Sequence, residues 1–311
     1  MSQKILVIVG PTAVGKTEMS LLLAERFEGE VISADSMQVY KGLDIGTAKA
    51  SAQQRNRIRH HLIDIADYRD EYTLADFLRD CNVAVTDILS RGKLPIIVGG
   101  TGLYVSSFTE NIQLHEEQTD PGYRAELILL AEKHGNRILM EMLQKVDPES
   151  SERLHENDRK RLIRALEIYH VTGKTQTWHN AQSKIKKSPY LFYKAGLNFQ
   201  NRELLYKRIE NRVDKMMESG FLEEVRGLEI SEISHTAVQA IGYRQLFSVL
   251  KNEISLQEAV AQIKLESRRY AKRQLTWFRR DPEICWRNVD EASLEENLEY
   301  FETSIEKFLK V

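Results

Sequence analysis

Cysteine is nearly absent. The 311-residue chain holds two, Cys81 and Cys285, far apart in the sequence. That excludes a disulfide framework and a zinc site built on cysteines. An excess of charge of one sign is missing too. Lys and Arg number 44 against 46 Asp and Glu, for a formal net charge of -2. A globally basic nucleic-acid binder is therefore excluded, and any nucleic-acid contact has to come from local basic patches. No apolar run approaches the ~18 residues of a membrane helix. The run Ile5 to Val9 near the start is too short for a signal peptide. The eight His form no HExxH pair and no clear triad, which sets a zinc hydrolase aside. There is no internal repeat and no low-complexity segment. A cytosolic protein is the expectation.

What remains is ordinary globular material, 42% hydrophobic and 29% charged. At ~150 residues per domain, the length allows about two domains, or one with a large insertion. The first hundred residues alternate strand and helix. Lys4–Val9, Glu30–Ser33 and Leu94–Val98 read as short buried strands, and Lys16–Arg26 as a helix. Such alternation implies a parallel sheet with helices on both faces. From Pro121 to His170 the pattern is helical, with Leu162, Leu166 and Tyr169 in step, and no strand is read. A strand returns at Tyr190–Asn198. From Glu203 the chain reads as helical again, with Leu205, Ile209, Val213 and Met216 on one face. The expected fold is thus α/β: a core of residues 1–118 and 186–311 with a parallel sheet flanked by helices, and an inserted all-helical domain of residues 119–185. The acid-rich end, Glu291 to Glu306, reads as a solvated amphipathic helix.

Gly10-Pro11-Thr12-Ala13-Val14-Gly15-Lys16-Thr17 fits G-x-x-x-x-G-K-[ST]. It follows a strand and opens a helix, the context that gives the motif its meaning. Glycines let the backbone wrap a phosphate with its N–H groups, and the helix N-terminus adds positive dipole. Lys16 supplies a point charge, and the Thr17 hydroxyl is a ligand for Mg²⁺. The loop specifies a di- or triphosphate without specifying which, or whether it is hydrolysed.

Asp35 follows the second strand and in a doubly wound sheet falls near that loop. Spacing alone leaves it three roles: metal ligand, general base, or cap of the next helix. The strand Leu94–Val98 ends in Gly99-Gly100-Thr101-Gly102. There the Thr101 hydroxyl either approaches a ligand or caps a helix.

Several segments, in order, resemble one family. They are GPTAVGKT (10–17), SADSMQVYKGLDIGTAK (33–49), HHLIDI (60–65), IVGGTGLY (97–104), NDRKRLIRALEIYHVTGK (157–174), AIGYRQL (240–246) and YAKRQLTWFR (270–279). Together they are similar to the tRNA dimethylallyltransferases, also called tRNA isopentenyltransferases, over nearly the whole chain. Departures are small: Glu156 stands where many relatives have Pro, and Ser267 where many have Thr. The resemblance implies transfer of a dimethylallyl group from dimethylallyl diphosphate to N6 of the adenosine just 3′ of the anticodon, position 37. Diphosphate leaves with Mg²⁺. Gly10 to Thr17 would hold the leaving diphosphate. By spacing, Arg208, Arg212 and Lys215 share one flank of the helix after Arg202 and either reach that diphosphate or remain surface charges. Asp35 would accept a proton or hydrogen bond from N6, with Thr101 orienting the reacting centre and Lys16 neutralising the leaving group. Ser36, Met37 and Gln38 would touch the flipped-out adenosine. The family suggests a monomer.

Basic clusters mark the expected tRNA surface. By the resemblance, Arg124, Arg159, Lys160, Arg161, Leu162 and Ile163 of the inserted domain meet the anticodon stem-loop, with Arg164 nearby. On a C-terminal helix, Arg269, Lys272, Arg273 and Arg280 share one face, while Ala271, Leu275 and Phe278 point the other way. Arg55, Arg57, Arg59 and His60 form a third cluster. Tyr270 and Trp277 read as core, with base stacking the alternative. No chemical role for Tyr243 or Arg244 follows from spacing. The competing functions are a P-loop kinase, an adenylate isopentenyltransferase acting on free nucleotide, and an RNA-binding GTPase-like switch. The long stretch after Asp35 and the basic helix disfavour the kinase, the inserted domain and the basic helix disfavour the enzyme of free nucleotide, and the lack of an NKxD-type motif disfavours the third.

Overall fold

A computed structural model describes residues 3–114, 120–183 and 186–310. The chain divides into two compact units, one running through Thr109 and resuming at Pro189, the other spanning Glu110–Ser188. The first unit opens with β1 (Gln3–Val9), α1 (Lys16–Arg26), β2 (Gly29–Ser33), α2 (Ala52–Arg57), β3 (His60–His61), α3 (Leu74–Ser90), β4 (Leu94–Gly99) and α4 (Gly102–Thr109). The second unit holds α5 (Pro121–His134), α6 (Arg137–Val146), α7 (Pro148–Arg153), α8 (Arg159–Thr172) and α9 (Gln176–Ser183). The first unit then resumes with β5 (Tyr190–Asn198), α10 (Arg202–Glu218), α11 (Phe221–Arg226), α12 (Tyr243–Leu250), α13 (Leu256–Phe278), β6 (Ile284–Asn288) and α14 (Leu294–Lys310).

The strands form one parallel sheet in the order β3-β2-β4-β1-β5-β6. Successive side chains of β1 enter opposite faces. Ile5, Val7 and Val9 join Ile32 and Ile97 in one core, while Leu6 and Ile8 join Val31, Ile96 and Val98 in the other. A strand covered on both sides has no polar face, hence the unbroken apolar run in the sequence. The expected strands lie within one residue of β1, β2, β4 and β5. In register, Val9 lies between Gly99 of β4 and Gly196 of β5. The loops after β1 and β4 therefore leave the same carboxyl edge, where parallel sheets bind ligands.

One expectation fails. The stretch after Glu203 is not helical throughout, because Ile284–Asn288 pairs with β5 as an edge strand. Five residues with only Ile284 buried carry too little period to be read against long helices on either side. At the end of the chain, α14 is the amphipathic helix expected, with Phe301 and Ile305 buried.

The helical unit packs Leu127, Ala131, Leu139, Leu143, Leu162, Ile163, Ala165 and Leu166 into its own core. Leu162 and Leu166 point inward as their spacing predicts, whereas Tyr169 is exposed. Among the described residues the unit has no strand.

Candidate active site

Gly10 leaves β1 at a φ of 147°. A Cβ there would run into the Leu197 carbonyl of β5, so both conformation and space require glycine. Ala13 and Gly15 also adopt positive φ, and Gly15 leads into α1 with no side-chain cap. The first N–H groups of α1 are left for an anion. Lys16 folds back over the loop and donates to the carbonyls of Gly10 (2.9 Å) and Pro11 (2.8 Å). Burial first, and the Arg212 guanidinium second, lower its pKa to about 7, against the pull of Asp35. Thr17 is exposed in the first turn of α1, while the Val14 side chain is buried in the core.

Asp35 caps a turn. Its Oδ1 accepts from the amides of Met37 (2.9 Å) and Gln38 (3.4 Å), and among the described residues Oδ2 takes no hydrogen bond. The segment it caps is a turn and not the helix start weighed above, because the chain enters a run of turns at Ser36. Thr101 occupies the position before α4, and its carbonyl accepts from Tyr104 and Val105. Its hydroxyl does not cap that helix. It accepts from the Ser36 amide at 3.1 Å and so braces the Asp35 turn.

The glycines around Thr101 have separate reasons. A Cβ on Gly99 would strike Ala34, one on Gly100 the Gln274 amide, and one on Gly102 the Trp277 ring. Gln274 of α13 joins the two loops. It accepts from the Thr12 amide (2.8 Å) and donates to the Gly100 carbonyl (3.0 Å). Sequence reasoning missed it. The available signal was a glutamine one turn beyond Tyr270 on the inward face of a helix, and it proves buried. Tyr270 is half-buried beside the cavity, and burial first and Asp35 second hold its phenol above the ordinary range.

These groups line a cavity of about 770 Å³. From α10, Arg208, Arg212 and Lys215 bring charge, and Ile209, Val213 and Met216 bring apolar surface. Burial holds the Arg212 guanidinium below its usual pKa. With Lys16 and Arg273, five cations line the cavity against the acids Glu18 and Asp35. A chain of net charge -2 has thus concentrated positive charge here, which suits an anionic ligand. The oxygens of Thr17 and Asp35 suit a hard cation such as Mg²⁺.

The residues expected at tRNA are less uniform. Asp35, Ser36, Met37 and Gln38 line the cavity. On α13, Arg269, Lys272 and Arg273 are exposed, with Ala271 and Phe278 buried opposite, and Arg269 pairs with Glu266 at 2.7 Å. Arg280 leaves that stripe, because the helix ends at Phe278. In the helical unit, Leu162 and Ile163 are not available as surface contacts, since both lie in its core. Arg124 and Arg164 close on the buried Glu167 carboxylate, both at distances typical of ion pairs (2.6 and 2.8 Å). Arg161 pairs with Asp158 and Arg159 with Glu132, and Lys160 is exposed. The third cluster is neutralised locally: Arg57 by Glu25, Arg55 by Asp64 and Arg59 by Glu30.

Fold and loop together define a class, a parallel α/β protein with a phosphate-type loop at the carboxyl edge of its sheet. The family model described as IPP transferase matches residues 38–281. A tRNA dimethylallyltransferase of Carboxydothermus hydrogenoformans is 44% identical over 99% of this chain and 100% of that protein. A full-length tRNA isopentenylpyrophosphate transferase of Bacillus halodurans superposes with a TM-score of 0.75 at 41% identity, covering 99% of this chain and 97% of that one. A eukaryotic dimethylallyltransferase acting on tRNA superposes at 0.83 and 32% identity, over 99% of this chain and 80% of that one. The chain belongs to the IPP transferase family. Among the described residues no helix is long and apolar enough to cross a membrane.

Proposed function

We propose that the protein transfers the dimethylallyl group of dimethylallyl diphosphate to N6 of the tRNA adenosine just 3′ of the anticodon. The observation that carries this is the cavity itself. It joins a phosphate-type loop, unpaired cations and a free carboxylate oxygen on Asp35 to an apolar wall from α10. The similarity to enzymes named for this chemistry supports it.

In the reaction the bond between the allylic carbon and its diphosphate oxygen breaks, and the electron pair leaves with the diphosphate. N6 forms the new bond to that carbon and loses a proton, which Asp35 accepts. The loop amides, Lys16, Arg208 and Arg212 take up the departing charge in a site where their positive ends already face inward. The Thr17 hydroxyl and the diphosphate's own oxygens would hold Mg²⁺, which supplies further neutralisation. Thr101 fixes the Asp35 turn. An adenine reaches this recess only by leaving its stack. Lys160 and the exposed Lys272 and Arg273 are the tRNA contacts that fit best, with Arg269 beside them on a surface pair to Glu266. The protein acts as a cytoplasmic monomer on this reading.

The test is a transfer assay with labelled dimethylallyl diphosphate, Mg²⁺ and unmodified tRNA, with AMP and ATP in parallel. Label on N6 of that adenosine, lost in Lys16→Ala, is the expected result. Label on AMP, or phosphate transfer from ATP, would replace this function with nucleotide prenylation or a kinase.

A further inference from the structure

Gly46, Thr47 and Ala48 form one wall of the cavity, and the loop Asp44–Ala48 that carries them is held by a residue outside it. Glu224 of α11 accepts from three consecutive amides: Asp44 (3.0 Å) and Ile45 (2.7 Å) at Oε2, and Gly46 (3.2 Å) at Oε1. The Tyr243 hydroxyl donates to Oε1 at 2.5 Å. A carboxylate has about four acceptor positions, and all are used. Tyr243 is fully buried. Burial first, and the Glu224 carboxylate second, raise its phenol far above the ordinary range, so the hydroxyl remains a donor. The fit leaves no slack. A Cβ on Gly46 would overlap the rings of Phe221 and Tyr243.

The wall reaches the reacting centre through one side chain. Gln38 Nε2 donates to the carbonyls of Thr47 (3.3 Å) and Ala48 (3.5 Å), and Ser33 Oγ donates to Gln38 Oε1 at 3.0 Å. The backbone amide of the same residue donates to Asp35 at 3.4 Å. Gln38, Gly46, Thr47, Ala48 and Asp35 line the cavity, and Glu224 and Tyr243 do not.

We infer that Glu224 and Tyr243 are positioning residues: they clamp the Asp44–Gly46 amides so that the loop carbonyls orient Gln38, and through it the Asp35 turn, against the acceptor base. This rests on the function proposed above and assigns a role to the AIGYRQL segment that spacing could not.

The experiment compares Glu224→Gln, Tyr243→Phe, Gln38→Ala and the double variant Glu224→Gln/Gln38→Ala. It uses steady-state transfer to tRNA and hydrogen exchange of the loop amides. Glu224→Gln presents an amide group to N–H donors and should lower kcat about 10- to 100-fold, the cost of a displaced catalytic group. KM for dimethylallyl diphosphate should stay within about threefold, since the phosphate loop is untouched. Tyr243→Phe, which keeps the ring and guards against misfolding, should lower kcat about fivefold. If Glu224 acts through Gln38, the double variant loses no more than the worse single one. Wild-type kcat in both Glu224→Gln and Tyr243→Phe, or independent losses in the double variant, would overturn the inference. Absence of transfer by the wild-type enzyme strikes the proposed function instead. Amide exchange then decides the clamp alone: Asp44–Gly46 protected in wild type and released in Glu224→Gln supports it, and equal exchange in both refutes it.

Discussion

Two groups of basic residues, both expected to meet an anionic substrate, are treated differently by the fold. In the cavity, Lys16 is held by backbone carbonyls, and Arg208 and Arg273 lie over the rings of Phe199 and Tyr270. Among the described residues none of these, nor Arg212 or Lys215, makes an ion pair. In the helical unit, Arg124, Arg159, Arg161 and Arg164 each face a carboxylate. The cavity keeps its positive charge unpaired for a ligand, while these four arginines of the helical unit are each committed to a carboxylate. Charge in a sequence marks a binding surface where the structure leaves it unpaired or held only by an exposed, weak pair. Arg161 and Asp158 are exposed, and such pairs contribute ~0–1 kcal/mol, so RNA can displace them. Arg124 and Arg164 serve Glu167, whose side chain is fully buried, and withdrawing them strands a charge in the core.

The largest expected effect falls on the cavity. Lys16→Ala should reduce transfer by ~10²–10³-fold, the usual cost of removing one preorganised donor from a developing anion; single-turnover label transfer measures it. A loss under tenfold would mean that the unpaired cations are interchangeable. Next comes the buried carboxylate. Glu167→Gln should destabilise the helical unit by about 3 kcal/mol, the low end for a broken buried pair because Arg124 is half exposed. Thermal unfolding followed by circular dichroism reads this, and an unchanged midpoint would remove the distinction between structural and binding arginines.

The pH dependence has a defined sign. Burial alone would raise the Glu167 carboxyl, but the hydrogen bonds from Arg124 and Arg164 outweigh it and hold its pKa below the ordinary 4.5. The ionised form is therefore favoured by folding. Its contribution is present above about 4.5 and is lost as pH falls below that value. Unfolding midpoints between pH 6 and 3 should show the wild type losing stability that Glu167→Gln no longer has to lose. The smallest effect belongs to Lys160. Lys160→Ala should leave stability within ~0.5 kcal/mol and shallow the salt dependence of tRNA binding by about 0.7–0.9 in log–log slope, one phosphate contact. An unchanged slope would remove it from the RNA surface.

How legible these parts were in the sequence follows from the same contrast. Gly10, Gly15 and Gly99 could be read because backbone conformation or a neighbouring backbone leaves no room for a side chain there, and the nearby reactive side chains came with them. Gln274 and Glu224 could not. Each acts on backbone atoms more than 170 positions away, at separations of 174 and 180 residues, and carries no local motif. Leu162 and Ile163 were assigned to RNA by position in a matched segment. The spacing of Leu162 with Leu166 points to the core, and Leu162 lies there together with Ile163. The edge strand β6 was too short to announce itself between two helices.

The contact between Gly10 and the Leu197 carbonyl has a consequence in time. β1 is made before its neighbour β5, which, in register from Gln3 opposite Tyr190, emerges only after the whole helical unit has been synthesised. Until then one edge of β1 is an unpaired template, and the glycine turn lacks the carbonyl it rests on. Closures between such distant segments are slow steps of folding. A nascent chain stalled before Pro189 carries every letter of the phosphate motif but lacks β5 and the α10 and α13 side chains around the loop, so full anion binding is among the last properties this enzyme acquires as it matures.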